Sequence, residues 1–514
     1  MAFFECDIAE LYGTQLSMCL ILFLALSAFC ILVTVIRRIY FHPLSHHPGP
    51  WLAAATHWYP AFYAWRGTLH THNRHCHDRY GPVFRSGPNE LSFDSSRSLR
   101  DIYAASQEVI GKPDIWQCFS VDPSEPTILS TVDNEEHKFK HRTISEMFSL
   151  RRAAGNEERM RPHIDHFIDL LGAGEHDLQD LCNWLSLDII SDLLYGDSLS
   201  LLRSAEFRWV VSAYRNMSRW VMTCMVQPRF RYLIFLYRIV PSFGSIIKLG
   251  RWTRSKSRTR LTAGVEQDDL FALFRGAKDK KTDRTYTEDR IWTESVLLLA
   301  AGSDTTSTTM GAVFFYLIHH PKILHQATMG VRKIFNDEKE ITSGPRLASC
   351  IYLRACIREV MRLVPAVPNL SPRVVRAKMA EIDGCIVHKN TNVGVSLSSY
   401  NRNQAIFEKE NEFQPERWLS LDGKQLSLEF FRSFGEGPRR CVGMNLALLE
   451  LELVIARALF RYDLSSPPRG RSSESLRTAD QGKHEFAFDA LAVASGRAGQ
   501  VSPGSFMEKK PNFP

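Results

Sequence analysis

The stretch that decides the fold is residues 434–443, which read FGEGPRRCVG. Its glycines allow the backbone to approach a flat group closely and to adopt angles that other residues avoid. Pro438 stiffens the loop just before Cys441. Residues 444–451, MNLALLEL, follow at once and have a strong helix propensity. The Cys441 sulfur is therefore predicted at a helix N-terminus, where free N–H groups and the helix dipole favour a thiolate.

This stretch resembles the haem-binding signature Phe-x-x-Gly-x-Arg-x-Cys-x-Gly of the cytochrome P-450 family of haem-thiolate monooxygenases. The matching positions are Phe434, Gly437, Arg439, Cys441 and Gly443. The resemblance implies a haem b whose iron takes the Cys441 thiolate as its axial ligand. It also implies that Arg439 contacts a haem propionate. A buried structural thiol is the alternative interpretation of Cys441, and the matched pattern disfavours it.

The resemblance covers roughly residues 40–464, and we assign residues 51–464 to the haem-thiolate monooxygenase domain. Helical patterns dominate this domain. Strand-like pieces occur at residues 83–85, 91–93, 385–387 and 393–395. We therefore expect a mainly α-helical fold with a small β-sheet region, the cytochrome P-450 fold, preceded by one N-terminal transmembrane helix. Residues 465–514 are rich in Ser, Gly, Pro and Arg, which predicts an atypical, mobile C-terminal tail.

Residues 16–36 carry no charged side chain. An α-helix of this length spans about 31 Å, against roughly 30 Å for the bilayer core. Arg37 and Arg38 follow the run, so the positive-inside rule predicts a cytoplasmic catalytic domain. A cleaved signal peptide is disfavoured, because the run is too long and no small-x-small cleavage site follows. We predict a short lumenal N-terminus at 1–15, a transmembrane helix at 16–36, and a basic, proline-rich hinge at 37–50.

The composition of the chain limits the classes of protein to which it can belong. The chain has 514 residues with 44% hydrophobic content, which is enough for a large core. Its net charge of +7 is mild, and no basic run is interleaved with aromatic residues, so we predict no nucleic-acid partner. The eleven cysteines form no CxxC pair, which argues against a disulfide framework and for a reducing compartment.

One long helix is predicted at residues 288–319, ending before Pro321. It contains the sequence AAGSDTT at 300–306, whose small residues would let the helix pass close to a planar cofactor. A threonine hydroxyl in a helix can bond a backbone carbonyl and bend the helix. By resemblance to the family's Ala-Gly-x-Asp/Glu-Thr-Thr element, Asp304 and Thr305 deliver the protons that cleavage of dioxygen requires. A polar patch on an amphipathic helix is the alternative.

A buried charge network is implied by the family's Glu-x-x-Arg pair. Glu359 and Arg362 stand at i and i+3 of a predicted helix. This spacing is common in the chain, but the PERW sequence at 415–418 follows in the family's order. The resemblance therefore implies a Glu359–Arg362–Arg417 network, in which a broken pair leaves a buried unpaired charge. A solvated ion pair, which would contribute little, is the alternative.

Further cations for the haem propionates follow from the same resemblance. Arg373 matches the family's propionate-binding arginine after the Glu-x-x-Arg helix. Where the family has Trp-x-x-x-Arg, this chain has His137 and His141, with Arg142 as a substitute. Imidazole N–H groups can still donate to a carboxylate. A zinc site at the two histidines is the alternative, and no third ligand is in register.

Apolar and aromatic residues are dense at 112–119 and 207–243, the regions that form the roof and access channel in the family. This character suits a lipophilic substrate that arrives from the membrane. Ordinary core packing is the alternative for part of these residues.

These observations predict a membrane-anchored haem-thiolate monooxygenase that hydroxylates or epoxidises a lipophilic small molecule. The chain has no nucleotide-binding glycine motif, so electrons are expected from NADPH through a separate NADPH-cytochrome P-450 reductase. Cytochrome b5 is a second candidate donor, and Arg439 and Arg440 would offer a basic docking face. By resemblance to microsomal members, we place the protein in the endoplasmic reticulum membrane as a single-pass protein.

The sequences YGPVFR at 80–85 and PNEL at 88–91 resemble fungal members of secondary metabolism. By this analogy the substrate is a terpenoid, polyketide or alkaloid. Two alternatives stay open: a haem-thiolate isomerase or dehydratase that does not use dioxygen, and a catalytically degenerate haem-binding protein.

Overall fold

The computed structural model describes residues 2–173, 177–238, 240–263, 269–279, 282–369, 372–419, 430–465 and 507–509. Most of the predicted tail, 466–506 and 510–514, therefore lies outside the described residues. The α-helices are α1 Ala2–Tyr40, α2 Trp51–Ala55, α3 Trp58–Arg66, α4 Leu69–Tyr80, α5 Ser96–Tyr103, α6 Asn134–Met147, α7 Leu150–Gly155, α8 Glu157–Leu171, α9 Leu178–Tyr195, α10 Trp209–Val226, α11 Pro241–Thr262, α12 Leu270–Gly276, α13 Glu288–His319, α14 Pro321–Ile334, α15 Pro345–Ala348, α16 Ile351–Leu363, α17 Leu397–Tyr400 and α18 Met444–Arg461. Short 3-10 helices lie at Asp114–Phe119, Pro228–Arg238, Glu338–Glu340, Pro415–Trp418 and Gly437–Arg439.

The strands are β1 Val83–Gly87, β2 Glu90–Phe93, β3 Ile110–Gly111, β4 Arg373–Val375, β5 Met379–Ile382, β6 Cys385–His388, β7 Asn392–Val395, β8 Tyr462–Leu464 and β9 Met507–Lys509. Five of them form a sheet in the order β1-β2-β7-β4-β3, so it joins segments from both halves of the chain. β2 and β7 run parallel, with Glu90 opposite Asn392, and the other pairs of this sheet are antiparallel. The prediction of a mainly α-helical fold with a small β region is confirmed.

Helix α13 runs through the core with the predicted bounds. The Thr287 side chain accepts from the Arg290 N–H and caps the first turn, and two acidic residues there suit the helix dipole. Pro321 begins the next helix. α13 packs along α9 and also contacts α16 and α18. At the α9 crossing, a Cβ on Gly302 would lie 2.8 Å from Ile190 Cγ1, so this glycine serves helix packing as well as the space beside a cofactor.

The N-terminal helix is longer than predicted. α1 runs from Ala2 to Tyr40, and its Met18–Tyr40 part is long and apolar enough to cross a membrane, with none of its most apolar stretch buried. The predicted hinge was to begin at residue 37, but Arg37 and Arg38 continue the helix. Basic residues are good helix formers, and the first helix breaker is Pro43. Arg38 donates to the Ala55 carbonyl at 2.8 Å, which fixes the end of α1 to the catalytic domain.

A short part of the predicted mobile tail is paired. β9 lies antiparallel to β8, with Tyr462 opposite Lys509 and Leu464 opposite Met507. Since β8 directly follows α18, this pairing returns the C-terminal segment to the helical domain.

Candidate active site

A cavity of about 450 Å³ lies between α13, the loop before α18 and the edge of the five-stranded sheet. Its wall is mainly apolar. The apolar lining residues include Trp116, Phe119, Ile190, Met225, Leu297 and Val367. Cys441 and Thr305 both open onto this cavity. A cavity of this size and character is typical of a small-molecule site.

The loop around Cys441 is held by its own backbone. The Cys441 N–H donates to the Phe434 carbonyl at 2.9 Å. Gly437 has φ +76°, and a Cβ there would lie 2.1 Å from the Tyr103 carbonyl oxygen, so no other residue fits. Gly443 has an ordinary φ of −83°, and an added Cβ would reach only van der Waals distance from the Cys441 sulfur. The expectation of special backbone angles therefore holds at Gly437 and is wrong at Gly443.

The electrostatics of the Cys441 sulfur differ from the prediction. N–H groups of Gly443 and Met444 at the start of α18 and the Arg440 charge lower the pKa of this thiol. Burial raises the pKa by more, so the net direction is upward. The helix terminus alone therefore does not hold a thiolate here. A bound metal cation would, because a coordinating thiol is deprotonated by the ion itself.

Four cations line the cavity: Lys112, Arg373, Arg439 and Arg440. The first three lie close enough to repel one another. Burial, and then Arg373, lower the pKa of Arg439 to about 10. Burial, and then Arg439 and Arg373, lower the pKa of Lys112 well below its usual value. Buried like charges are unfavourable unless an anion is bound among them. The cluster therefore fits a group with carboxylates, as a haem has.

Lys112 was not predicted as a functional residue. It is buried, donates to the Leu129 carbonyl, and its ammonium lies 4.2 Å from the centre of the Trp116 ring. The only feature of the sequence that could have indicated this role is the charge of Lys112 at the start of a segment that we otherwise assign to the apolar roof.

Arg439 points inward. Its Nη1 donates to the Thr131 carbonyl at 2.7 Å, and its Nη2 lies 3.3 Å from both the Val132 carbonyl and Asn134 Oδ1. This placement suits contact with a propionate. It contradicts the expectation that Arg439 and Arg440 together form a basic docking face, because Arg440 is exposed and Arg439 is not.

The two predicted histidines of α6 have different surroundings. His137 is buried in the cavity wall, and burial, followed by the Arg439 charge, lowers its pKa to about 3. A neutral imidazole there can donate one N–H to a carboxylate. His141 lies one helical turn further on, with 5.7 Å between the ring centroids, and is outside the wall. The substitute Arg142 is exposed, so neither of these two reaches the cavity.

Thr305 lies in the wall and Asp304 does not. The Thr305 hydroxyl donates to the Ala301 carbonyl at 2.9 Å, the backbone contact that the sequence predicts. Asp304, half-buried at the next position of α13, is outside the cavity wall, and its carbonyl accepts from the Ser307 hydroxyl at 3.1 Å. In this conformation only Thr305 of the pair therefore faces the cavity.

The charge network lies in the core beside the cavity. Glu359 is fully buried, and its carboxylate accepts from Arg362 at 2.8 Å, Arg417 at 3.0 Å and the Trp418 indole at 2.9 Å. Arg362 Nη1 also donates to the Asn401 and Glu410 carbonyls, each at 2.7 Å. The network thus ties α16 to the segment that follows α17, from Asn401 to Trp418.

Comparison with known proteins supplies the family. The sequence model of the family "Cytochrome P450" matches residues 48–485. The chain belongs to the cytochrome P450 family. The chain is 28% identical to the cytochrome P450 monooxygenase atnE of Emericella nidulans, over 93% of this chain and 95% of that protein. It is 32% identical to the cytochrome P450 monooxygenase fscF of Fusarium equiseti, over 86% of this chain and 88% of the relative. It is 30% identical to the cytochrome P450 monooxygenase poxM of Penicillium oxalicum, over 87% of this chain and 89% of that protein.

This P450 is therefore an oxidoreductase with a haem-thiolate iron cofactor, and its electrons come from NADPH through a redox partner. The residues present fit that cofactor, because one wall of the cavity holds the Cys441 sulfur and another holds the cations Lys112, Arg373 and Arg439. The named relatives are fungal monooxygenases, which supports a monooxygenase role for this chain.

Proposed function

We propose that this P450 is a membrane-anchored monooxygenase that hydroxylates or epoxidises a lipophilic small molecule of fungal secondary metabolism, a terpenoid, polyketide or alkaloid. The observation that carries the proposal is the single apolar cavity into which both Cys441 and Thr305 open. Aromatic and methionine side chains of the Asp114–Phe119 turn and of α10 cover it. Such a wall binds an apolar body and leaves little water near the reacting carbon.

When bound, the haem supplies the activation of dioxygen, one atom of which enters the substrate while the other leaves as water. Cys441 would hold the iron, and Arg373, Arg439 and Lys112 would neutralise the propionates. His137 would donate one further N–H to this site. The Phe434 carbonyl fixes the Cys441 backbone and so sets the position of the sulfur.

Thr305 carries a proton at Oγ1 on the cavity wall, from which it would be delivered to the reacting oxygen. Its contact with the Ala301 carbonyl keeps this hydroxyl beside the cavity. Asp304 lies outside the wall in this conformation. Its carboxyl group must therefore change rotamer before it can return a proton to Thr305.

The anchor is the Met18–Tyr40 part of α1, which crosses the endoplasmic reticulum membrane with the catalytic domain in the cytoplasm. An exposed aromatic patch on the domain supports this placement. Its members are Trp51, Trp58, Phe62, Tyr232 and Phe235. The 3-10 helix that carries the last two packs against α3 through Phe230 and Trp65, whose rings are 5.3 Å apart. Large exposed aromatic groups of this kind are typical of a membrane contact.

The domain order that we propose is the predicted one, with the hinge shortened. Residues 1–15 are lumenal, the membrane helix ends at Tyr40, and the hinge runs to residue 50. We propose NADPH-cytochrome P-450 reductase as the electron donor, and cytochrome b5 as a second donor.

Turnover with isotopically labelled dioxygen tests the proposal. The full-length enzyme, in vesicles with a fungal reductase and NADPH, is incubated with a panel of terpenoids, polyketides and alkaloids. We expect a product that carries one labelled oxygen atom and forms only when NADPH is present. A product that forms without label and without NADPH would instead identify an isomerase or dehydratase. A normal thiolate spectrum with electron transfer but no product from any class would indicate a degenerate protein.

A further inference from the structure

The cavity wall becomes polar where it meets the edge of the five-stranded sheet. The polar lining residues there are Asn73, Ser86, Glu90, Ser92, Asn369 and Asn392. They come from α4, β1, β2, β7 and the residues before β4. This end of the cavity therefore differs from the apolar wall formed by α9, α10 and α13.

Glu90 is the acidic residue of this polar end. It begins β2 and stands opposite Asn392 of β7, whose Nδ2 donates to Glu90 Oε1 at 3.3 Å. Among the residues that the structure describes, this amide is the only hydrogen-bond partner of the carboxylate, and no lysine, arginine or histidine forms an ion pair with it. The neighbouring Arg85 of β1 instead donates to the Arg38 and Pro88 carbonyls.

The cations of the cysteine side of the cavity do not compensate Glu90. Asn392 lies opposite Val374 of β4, so Glu90 is two strands away from β4. Strands are about 4.8 Å apart, which places β4, the strand of Arg373, roughly 10 Å from β2. Glu90 is half-buried and differs from two fully buried acids: Glu294 accepts from Lys140 at 2.9 Å, and Glu359 accepts from two arginines. A second acid of the cavity wall, Glu450 on α18, accepts from the Ser186 hydroxyl at 2.6 Å and lies away from the polar end.

Burial raises the pKa of Glu90 to about 7. A buried carboxylate without a counter-ion is unfavourable, and a cation that enters the same enclosed space removes that cost. An N–H donor on a positively charged nitrogen makes the stronger, charge-assisted hydrogen bond.

We propose that Glu90 binds a positively charged nitrogen of the substrate, so that the substrate class is a lipophilic amine. The apolar body of this amine fills the wall formed by α10 and α13. Because the nitrogen is held at the sheet edge, the oxidised carbon lies on the apolar body, away from the nitrogen. This inference rests on the proposed function and selects the nitrogen-containing class among its substrates.

Three ligands with the same eight-carbon chain test the site: octyldimethylammonium, which carries one N–H donor on its charged nitrogen, octanoate and 1-octanol. Their binding to the haem-loaded, full-length enzyme in neutral detergent is measured by equilibrium dialysis at pH 8, one unit above the pKa of Glu90. We expect the cation to bind about tenfold more tightly than octanoate. Glu90→Gln keeps the shape of the side chain and the Asn392 contact. In this variant the affinity for the cation should fall about tenfold, and the affinity for 1-octanol should change less than about twofold.

Glu108→Gln, which removes an exposed carboxylate just before β3, is the matched control and should leave all three affinities unchanged. Equal binding of cation and anion by the natural enzyme would overturn the inference, as would failure of the cation to bind. An equal loss for all three ligands in Glu90→Gln would show a change of cavity shape instead of charge recognition. The natural enzyme's preference is informative even if the variant does not fold. Since no turnover is measured, this test can fail while labelled dioxygen still enters a product, and the reverse also holds.

Discussion

Two groups of charged side chains in the protein differ in how their charges are compensated. The first is the Glu359–Arg362–Arg417 network, in which one carboxylate contacts two guanidinium groups at 2.8 and 3.0 Å. The second is the group of Arg373, Arg439 and Lys112, in which Arg373 lowers the pKa of Arg439 and both arginines lower the pKa of Lys112. Opposite charges that are paired within the protein stabilise the fold. Like charges gathered at a cavity wall indicate the position of an anionic ligand.

Breaking the first group should have the largest effect. Glu359→Gln leaves two buried guanidinium groups with one neutral partner, so we expect a loss of roughly 3–5 kcal/mol in the free energy of unfolding. Denaturant unfolding followed by fluorescence measures it. The matched control is Glu340→Gln, which removes an exposed ion pair with Arg346 and should change the free energy of unfolding far less. Equal effects of the two substitutions would contradict the structural role of the network.

Removing one charge of the second group should act in the opposite direction on the protein without haem. Lys112→Met relieves repulsion while filling the same space, so we expect the apoprotein to be as stable as the natural one or more stable. Haem should dissociate about tenfold faster, because one propionate contact is lost. Transfer of haem to an excess of apomyoglobin measures the rate.

Lys138→Met, on the exposed face of α6, is the control and should change neither quantity. If Lys112→Met destabilised the apoprotein and left haem dissociation unchanged, Lys112 would belong with the structural charges.

Thr305→Ala extends the comparison to an uncharged polar group of the cavity wall. Loss of the hydroxyl should slow proton delivery, so that electrons are consumed without product, and we expect the ratio of product to NADPH to fall about tenfold. Ser303→Ala removes a hydroxyl with the same kind of backbone contact, to the Leu299 carbonyl at 2.6 Å, at a position outside the cavity. Ser303→Ala should leave the ratio unchanged. An unchanged ratio in Thr305→Ala would exclude the proton-delivery role.

The sequence was sufficient wherever a short local pattern fixes the structure. The breaker Pro321 ends α13 where the sequence predicts, and the Glu359–Arg362–Arg417 network follows from the family resemblance that the later PERW sequence supports. It was insufficient where packing sets the direction of a side chain. The spacing of His137 and His141 does not reveal that only the first faces the cavity, and the Asp304-Thr305 pair does not reveal that only Thr305 does. Lys112 became visible only when the fold placed it beside Arg439 and Arg373.

The central claim is that the Cys441 sulfur is the protein ligand of the haem iron. The most direct measurement is the absorption difference spectrum of the reduced enzyme with carbon monoxide, for the natural protein and for Cys441→Ser. We predict the long-wavelength band of thiolate ligation in the natural protein and its complete loss in Cys441→Ser, together with loss of monooxygenase activity. Retention of that band and of activity in Cys441→Ser would contradict the claim.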